Sequence, residues 1–172
     1  MKVNFQIVKI SLIILLVNSL LTSSSAQKPV EIIPKFILYK FDNTLFTNKN
    51  LEVGKKTLFI FFDVTCDHCQ QTIQTLSSRI SEFKRVAIYL ITLDDKASVS
   101  KFLNQYGKNL IGNRNVLILK DKKDQFITRF GPRKYPSVFL YSSRKKLLLY
   151  DDQDLKLEKF FKFINTSNHE IP

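Results

Sequence analysis

The chain has 172 residues, of which 44% are hydrophobic and 15 are Phe, and its formal net charge is +12. This length suits one domain with a short extension, and the apolar content excludes an intrinsically disordered chain. The positive charge is compatible with nucleic acid, anionic lipid or acidic proteins as partners, and it does not distinguish between these classes of partner.

The first 26 residues have the pattern of a secretory signal peptide. Two lysines precede the apolar run from Ile10 to Leu21, and small residues follow as far as Ala26. We therefore predict cleavage after Ala26 and an exported, periplasmic mature chain that begins at Gln27. A retained anchor is the alternative, although the apolar run is short for a membrane span. Export also removes nucleic acid from the expected partners.

The first half of the mature chain predicts a hairpin followed by a parallel unit. Residues 27–35 are expected to form an extended lead-in, and 36–41 with 44–47 an N-terminal β-hairpin. The runs 57–62 and 86–91 are continuously apolar, which is typical of strands covered on both faces. An apolar helical pattern that begins at Cys66 and ends near Phe83 joins them, so we predict a right-handed βαβ unit.

The second half predicts shorter elements. A helix is expected at 96–106, a strand at 116–119 and one or two helical turns within 121–130. Strands at 137–141 and 147–150 are separated by hairpin spacing, and a closing helix is expected at 154–164 with Asp152 and Asp154 near its N-terminus. The prediction is one α/β domain over residues 36–165, a central mixed sheet flanked by helices, followed by a loose tail at 166–172.

The only two cysteines lie in the motif Cys66-Asp67-His68-Cys69, directly after the first apolar strand. Helical spacing places both thiols on one side of the first turn, where they can form a disulfide. Cys66 is expected at the exposed helix N-terminus, where free N–H groups and the helix dipole stabilise a thiolate. Cys69 lies one turn deeper on the apolar stripe and is expected to stay protonated until it reacts.

This arrangement resembles the thioredoxin superfamily, and its layout is most similar to exported thioredoxin-like reductases of the TlpA/ResA type, with an AhpC/TSA-type layout. The resemblance covers Phe36 to Ile164 and rests on Phe59 to Phe62 with the Cys-x-x-Cys motif, and on Tyr135 to Leu140. It implies a thioredoxin-like fold and thiol–disulfide exchange, in which Cys66 attacks a substrate disulfide and Cys69 resolves the mixed disulfide.

The resemblance also implies roles for the residues around the two thiols. Pro136 matches the cis-proline that lies beside the dithiol, and Tyr135, Arg133 and Lys134 are expected to border the substrate groove with it. Asp67 and His68 are expected to tune the redox potential in opposite directions, so they leave open whether the protein is a reductase, which we favour, or an oxidase or isomerase.

One position departs from the thioredoxin pattern. Ile60 stands where thioredoxins keep a buried Asp that helps to take the proton of the second cysteine. Asp63 is close in sequence, but an odd register step turns a side chain to the other face of a strand, so Asp63 is not expected to replace it.

Three other interpretations of the cysteines remain. They could form a static disulfide, although so short a loop stabilises a fold little. Cys66, His68, Cys69 and His169 could bind a metal, or the protein could be a non-enzymatic carrier of copper or of a partner protein. We expect no cofactor and no resident metal. The expected partners are exported proteins with thiols or disulfides and a separate electron donor or acceptor protein.

Overall fold

The computed structural model describes residues 28–152 and 157–165. The predicted signal peptide, the tail and His169 lie outside the described residues. The described strands are β1 (Ile37–Tyr39), β2 (Leu45–Thr47), β3 (Lys56–Phe61), β4 (Val86–Thr92), β5 (Val116–Lys120), β6 (Ser137–Tyr141) and β7 (Leu147–Asp151). The α-helices are α1 (Asp67–Ser78), α2 (Lys96–Tyr106), α3 (Gln125–Phe130) and α4 (Glu158–Asn165).

The strands form one mixed sheet in the order β2-β1-β5-β4-β3-β6-β7. β3 lies inside the sheet, parallel to β4 and antiparallel to β6, and β5 continues the parallel part beside β4. The predicted N-terminal hairpin is present, and it joins β5 through the antiparallel pair Tyr39 and Lys120. The predicted βαβ unit and the β6–β7 hairpin are also confirmed.

The sheet has a hydrophobic core on each face, which explains why Leu58 to Phe61 of β3 are continuously apolar. Leu58 and Ile60 face the core built with α1, α2 and α4, whereas Phe59 and Phe61 face the core built with the β1–β2 hairpin and α3. All six residues of β3 are buried. The strand that leads into the cysteine motif is therefore held from both sides.

Two predicted helices have different bounds in the structure. α1 ends at Ser78, and a separate 3-10 helix covers Ile80–Phe83, because Arg79 leaves helical geometry at φ −112° and ψ 17°. The closing helix begins at Glu158 among the described residues, and its predicted start at Asp154 lies outside them. The helical turns expected within 121–130 are α3, which ends at Gly131 with a left-handed φ of 65°.

The extended lead-in is attached to the domain. The Leu147 N–H donates to the Glu31 carbonyl at 2.7 Å, and the Ile33 N–H donates to the Lys145 carbonyl at 3.1 Å. Ile33 is buried among the side chains of the hairpin side of the sheet. In the part of the chain that the structure describes, no helix has both the length and the apolar character needed to cross a bilayer.

Candidate dithiol site

Cys66 is the N-cap residue of α1 and follows the short loop after β3. Its backbone is extended, with φ −84° and ψ 117°, and its carbonyl accepts the first intrahelical bond from the Gln70 N–H at 3.1 Å. The thiol is half-buried. A thiolate at this position faces the positive end of the helix dipole and the free N–H groups of the first turn.

Cys69 lies one turn further along α1, on the face that packs against the sheet. Its side chain is fully buried beside Ile73 and Ile60 in the same core. Burial raises the pKa of the Cys69 thiol well above its ordinary value, and the adjacent Cys66 side chain, within hydrogen-bonding reach, adds to the rise. The Asp63 N–H donates to Cys69 Sγ at 3.5 Å and opposes that rise. The two cysteines are free thiols with different surroundings.

The segment before β6 forms the opposite side of the site. The Cys66 thiol donates to the Tyr135 carbonyl, with 3.6 Å between Sγ and the oxygen. The Tyr135–Pro136 peptide bond is cis, and Pro136 is buried. β6 begins at the next residue, Ser137, which pairs with Phe61 at the end of β3. This strand pairing brings a segment 69 residues away from Cys66 to its thiol.

The remaining predicted site residues differ in their surroundings. Asp67 and His68 are exposed on the first turn of α1. Lys134 is also exposed, and its carbonyl accepts a hydrogen bond from Ser137 at 2.7 Å.

Arg133 forms a bidentate ion pair in the structure. Its Nε and Nη2 atoms donate to the two oxygens of buried Asp152 at 2.7 and 2.9 Å, and its guanidinium lies over the Tyr150 ring. Asp152 is thus held by Arg133. Its expected place near the N-terminus of the closing helix stays a prediction, because residues 153–156 lie outside the described residues. The charge of Arg133 already has a partner, whereas no ion pair of Lys134 is found among the described residues.

Two carboxylates that organise the loop before Cys66 were not among the predicted site residues. Asp63 accepts from the Thr65 N–H at 2.7 Å and from its hydroxyl at 2.5 Å. Asp94 accepts from the Val64 N–H at 3.1 Å, and so links the end of β4 to the loop after β3. The carboxyl ends of parallel strands meet at one edge of a sheet. The predicted βαβ unit therefore already implied that Asp94, which follows the second strand, lies near the loop that follows the first.

These carboxylates also influence Tyr135. Burial raises the pKa of the Tyr135 phenol to about 12, and the negative charges of Asp63 and Asp94 contribute to the rise. The ring packs on Phe61, with 4.7 Å between the ring centroids. Tyr135 is therefore a neutral, half-buried aromatic side chain at the edge of the dithiol site.

Within residues 28–152 and 157–165, no group of three or more His, Cys, Asp and Glu side chains is placed to hold a metal ion. The fourth ligand of the alternative set, His169, lies outside those residues.

The sheet order, the position of the Cys-x-x-Cys motif at the start of α1 and the Tyr135–Pro136 segment beside it define a thioredoxin-like protein. The chain belongs to the AhpC/TSA family, whose model matches residues 29–149. Among curated protein sequences, no significant match to the chain is found.

Solved structures with the same fold include thioredoxin-like redox proteins. A thioredoxin-like protein from Aeropyrum pernix superposes with a TM-score of 0.61 at 13% identity, covering 75% of this chain and 88% of that one. A thiol-disulfide oxidoreductase from Bacteroides fragilis gives 0.61 at 18% identity, with coverage of 77% and 99%. A secreted disulfide oxidoreductase from Mycobacterium tuberculosis gives 0.60 at 17% identity, with coverage of 75% and 93%. These similarities establish the thioredoxin-like fold predicted from the sequence.

Proposed function

We propose that this protein is an exported thiol–disulfide oxidoreductase, with Cys66 as the nucleophile and Cys69 as the resolving thiol. The main support for this proposal is that the two thiols differ in their exposure. Cys66 is half-buried at a helix N-terminus, whereas Cys69 is fully buried and burial raises its pKa. A static disulfide has no need of one accessible thiol and one protected thiol.

The reaction follows from this asymmetry. The Cys66 thiolate attacks one sulfur of a client disulfide, the client S–S bond breaks, and the first client thiolate leaves. Cys69 then loses its proton and attacks Cys66 Sγ, which forms the Cys66–Cys69 disulfide and releases the second client thiolate. Two electrons pass from the dithiol to the client, and a separate donor protein or small thiol must reduce Cys66–Cys69 again, because the chain has no further cysteine.

We propose that the client lies along the segment that contains Tyr135 and Pro136, with Arg133 and Lys134 at its border. The carbonyl of Tyr135 already accepts from the Cys66 thiol, so a client that reaches Cys66 also reaches this backbone. Lys134 offers an exposed positive charge there, whereas Arg133 is engaged by Asp152. The expected clients are exported proteins with disulfides, and Asp67 and His68 tune the potential.

We propose reduction as the direction of electron flow. Cys69 is buried and its pKa is raised, so it stays protonated and adds no thiolate stabilisation to the reduced form, and the anionic Asp67 disfavours a thiolate at Cys66. A reduced form without thiolate stabilisation gives a more reducing potential. His68 acts in the opposite direction. A redox titration that gives a potential near −120 mV, which is typical of the strongest oxidases, would overturn this direction and leave thiol exchange itself intact.

The activity is tested by insulin reduction in the presence of dithiothreitol, followed by turbidity. We expect the protein to accelerate precipitation, and we expect Cys66→Ser and Cys69→Ser each to lose the acceleration. Ser78→Ala, on the exposed side of the same helix, serves as the control and should match the unmodified chain. If neither cysteine variant changes the rate, the enzyme proposal fails. Stoichiometric Cu(I) binding without thiol exchange would support the carrier alternative.

Export is tested separately. We expect a cell that expresses the full chain to release a periplasmic form that begins at Gln27, measured by intact mass. A full-length mass in the membrane fraction would support the retained anchor.

A further inference from the structure

A cavity separate from the dithiol lies between the start of β1, the turn after β2 and helix α3. Its volume is about 530 Å³, within the roughly 300–1,000 Å³ typical of small-molecule sites. Its lining is mostly carbon, and the lining residues are Lys35 to Ile37, Thr47 to Lys49, Gln125 and Arg129. None of them belongs to the Cys66–Cys69 motif or to residues 131–136.

Among the described residues, three positive side chains and no carboxylate line this cavity. Lys35 comes from the lead-in, Lys49 from the turn after β2 and Arg129 from α3, and all three are exposed. In the part of the chain that is described, none of the three makes an ion pair. The cavity therefore has an uncompensated positive charge on walls that are otherwise apolar.

The backbone that carries these cations is fixed. The Asn48 side chain joins the two chain segments, because its Oδ1 accepts from the Phe36 N–H at 2.9 Å and its Nδ2 donates to the Pro34 carbonyl at 2.6 Å. Asp121 holds the start of α3 by accepting from the Gln125 N–H at 2.8 Å and from the Phe126 N–H at 2.7 Å. The backbone segments that line the cavity are thus held in place, with little backbone ordering left for a ligand to impose.

The floor of the cavity is apolar. Phe36 is buried and stacks against Phe46, and the neighbouring Ile37 is 44% exposed. An exposed isoleucine beside three cations matches a ligand that has hydrocarbon next to an anionic group, because hydrocarbon gains from contact with Ile37 and the anion from the three charges. A small hydrophilic anion would leave the apolar surface uncovered, and a neutral hydrocarbon would leave the charges unmatched.

We infer that this cavity binds an amphiphilic anion, a hydrocarbon chain with one phosphate or carboxylate head. The head lies among Lys35, Lys49 and Arg129, and the chain lies along Ile37. Such a ligand is either a free single-chain amphiphile or a lipid of an anionic membrane surface. The site is independent of thiol chemistry, so its test does not depend on the proposed function.

The probe is decyl phosphate at concentrations where it is monomeric, titrated calorimetrically into the chain from Gln27 onwards. We expect saturable 1:1 binding, and at least tenfold weaker binding of inorganic phosphate and of decanol. The triple variant Lys35→Gln, Lys49→Gln and Arg129→Gln should weaken decyl phosphate binding at least tenfold. Ile37→Ser should weaken decyl phosphate while leaving inorganic phosphate unchanged.

The matched control removes three positive charges elsewhere. Lys101→Gln, Lys108→Gln and Arg144→Gln replace exposed side chains outside the cavity and change the net charge equally. This control should bind decyl phosphate within twofold of the unmodified chain. Equal weakening in both triple variants, or no saturable binding at all, overturns the inference.

Vesicles identify the source of the ligand. Phosphatidylglycerol vesicles that sediment the unmodified chain and the control, but not the cavity variant, assign the site to a membrane lipid. Decyl phosphate binding without vesicle binding assigns it to a free amphiphile. Thermal unfolding establishes that each variant is folded. If the triple variant does not fold, Arg129→Gln alone replaces it, and it should weaken decyl phosphate binding about threefold.

Discussion

The burial of Cys69 predicts that the free energy of unfolding falls in mild alkali. It also predicts how much of that fall is due to this one thiol. A thiol whose pKa is raised in the folded state binds its proton more tightly there than in the unfolded chain. The stabilisation that this thiol gives the folded state is fully present below the pKa of the unfolded chain, which is near the ordinary value of 9.0. It is lost as the pH rises toward the higher pKa of the folded state. At pH 10, ionisation of Cys69 therefore favours the unfolded chain by about 1.4 kcal/mol.

Tyrosines add a smaller part to the same loss. Burial raises the pKa of Tyr135 to about 12 and also raises that of Tyr141, from an ordinary value of 10.0. Each contributes about 0.4 kcal/mol at pH 10. Lys56 acts in the opposite direction, because burial lowers its pKa. These contributions are common to the unmodified chain and to a Cys69 variant, so they cancel when the two are compared.

The assay is urea unfolding at pH 8 and pH 10 with a reductant present. Between these pH values we expect the free energy of unfolding of the unmodified chain to fall by about 1.4 kcal/mol more than that of Cys69→Ala. Ser78→Ala, an exposed position on the same helix that leaves both thiols in place, is the control and should follow the unmodified chain. Equal losses in the unmodified chain and Cys69→Ala would refute the claim that Cys69 is buried as a protonated thiol.

Two further predictions concern the support of the dithiol helix. A Cβ at Gly107 would lie 2.9 Å from Ile73 Cγ2 on α1. Gly107→Ala should therefore lower the free energy of unfolding, measured in urea, by about 1–3 kcal/mol. An unchanged free energy of unfolding would contradict the close packing of Gly107 against α1. Asp94→Ala removes the acceptor of the Val64 N–H, so it should lower the free energy of unfolding by about 1–2 kcal/mol and also slow insulin reduction. A loss of stability with an unchanged reduction rate would show that Asp94 does not position the loop before Cys66.

The strands and the dithiol helix were predictable because their signals are local. The runs 58–62 and 86–91, which form most of β3 and β4, contain no charged residue and do not alternate with polar residues, and this identified them as interior parallel strands. Cys66 and Cys69 share the spacing of the apolar face of α1, so the depth of Cys69 followed from periodicity.

The contacts that complete the site depend on pairings that spacing does not reveal. The Asp63 carboxylate bonds Thr65, and its backbone N–H contacts Cys69 Sγ, a contact that the sequence did not predict. Arg133 lies next to the Tyr135–Pro136 segment in sequence, but buried Asp152 binds its guanidinium. The break at Arg79 was also not predictable, because the apolar spacing continues to Phe83 although the helix type changes.

The most direct test of the central claim is to trap the reaction halfway with a small disulfide substrate. Cys69→Ser incubated with oxidised glutathione should accumulate a mixed disulfide on Cys66, identified by peptide mass, because no thiol remains to resolve it. Cys66→Ser should form an adduct on buried Cys69 at least about a hundredfold more slowly, since a protonated, inaccessible thiol is a poor nucleophile. Equal rates of adduct formation in the two variants, or no adduct on Cys66, would contradict the assignment of Cys66 as nucleophile and Cys69 as resolving thiol.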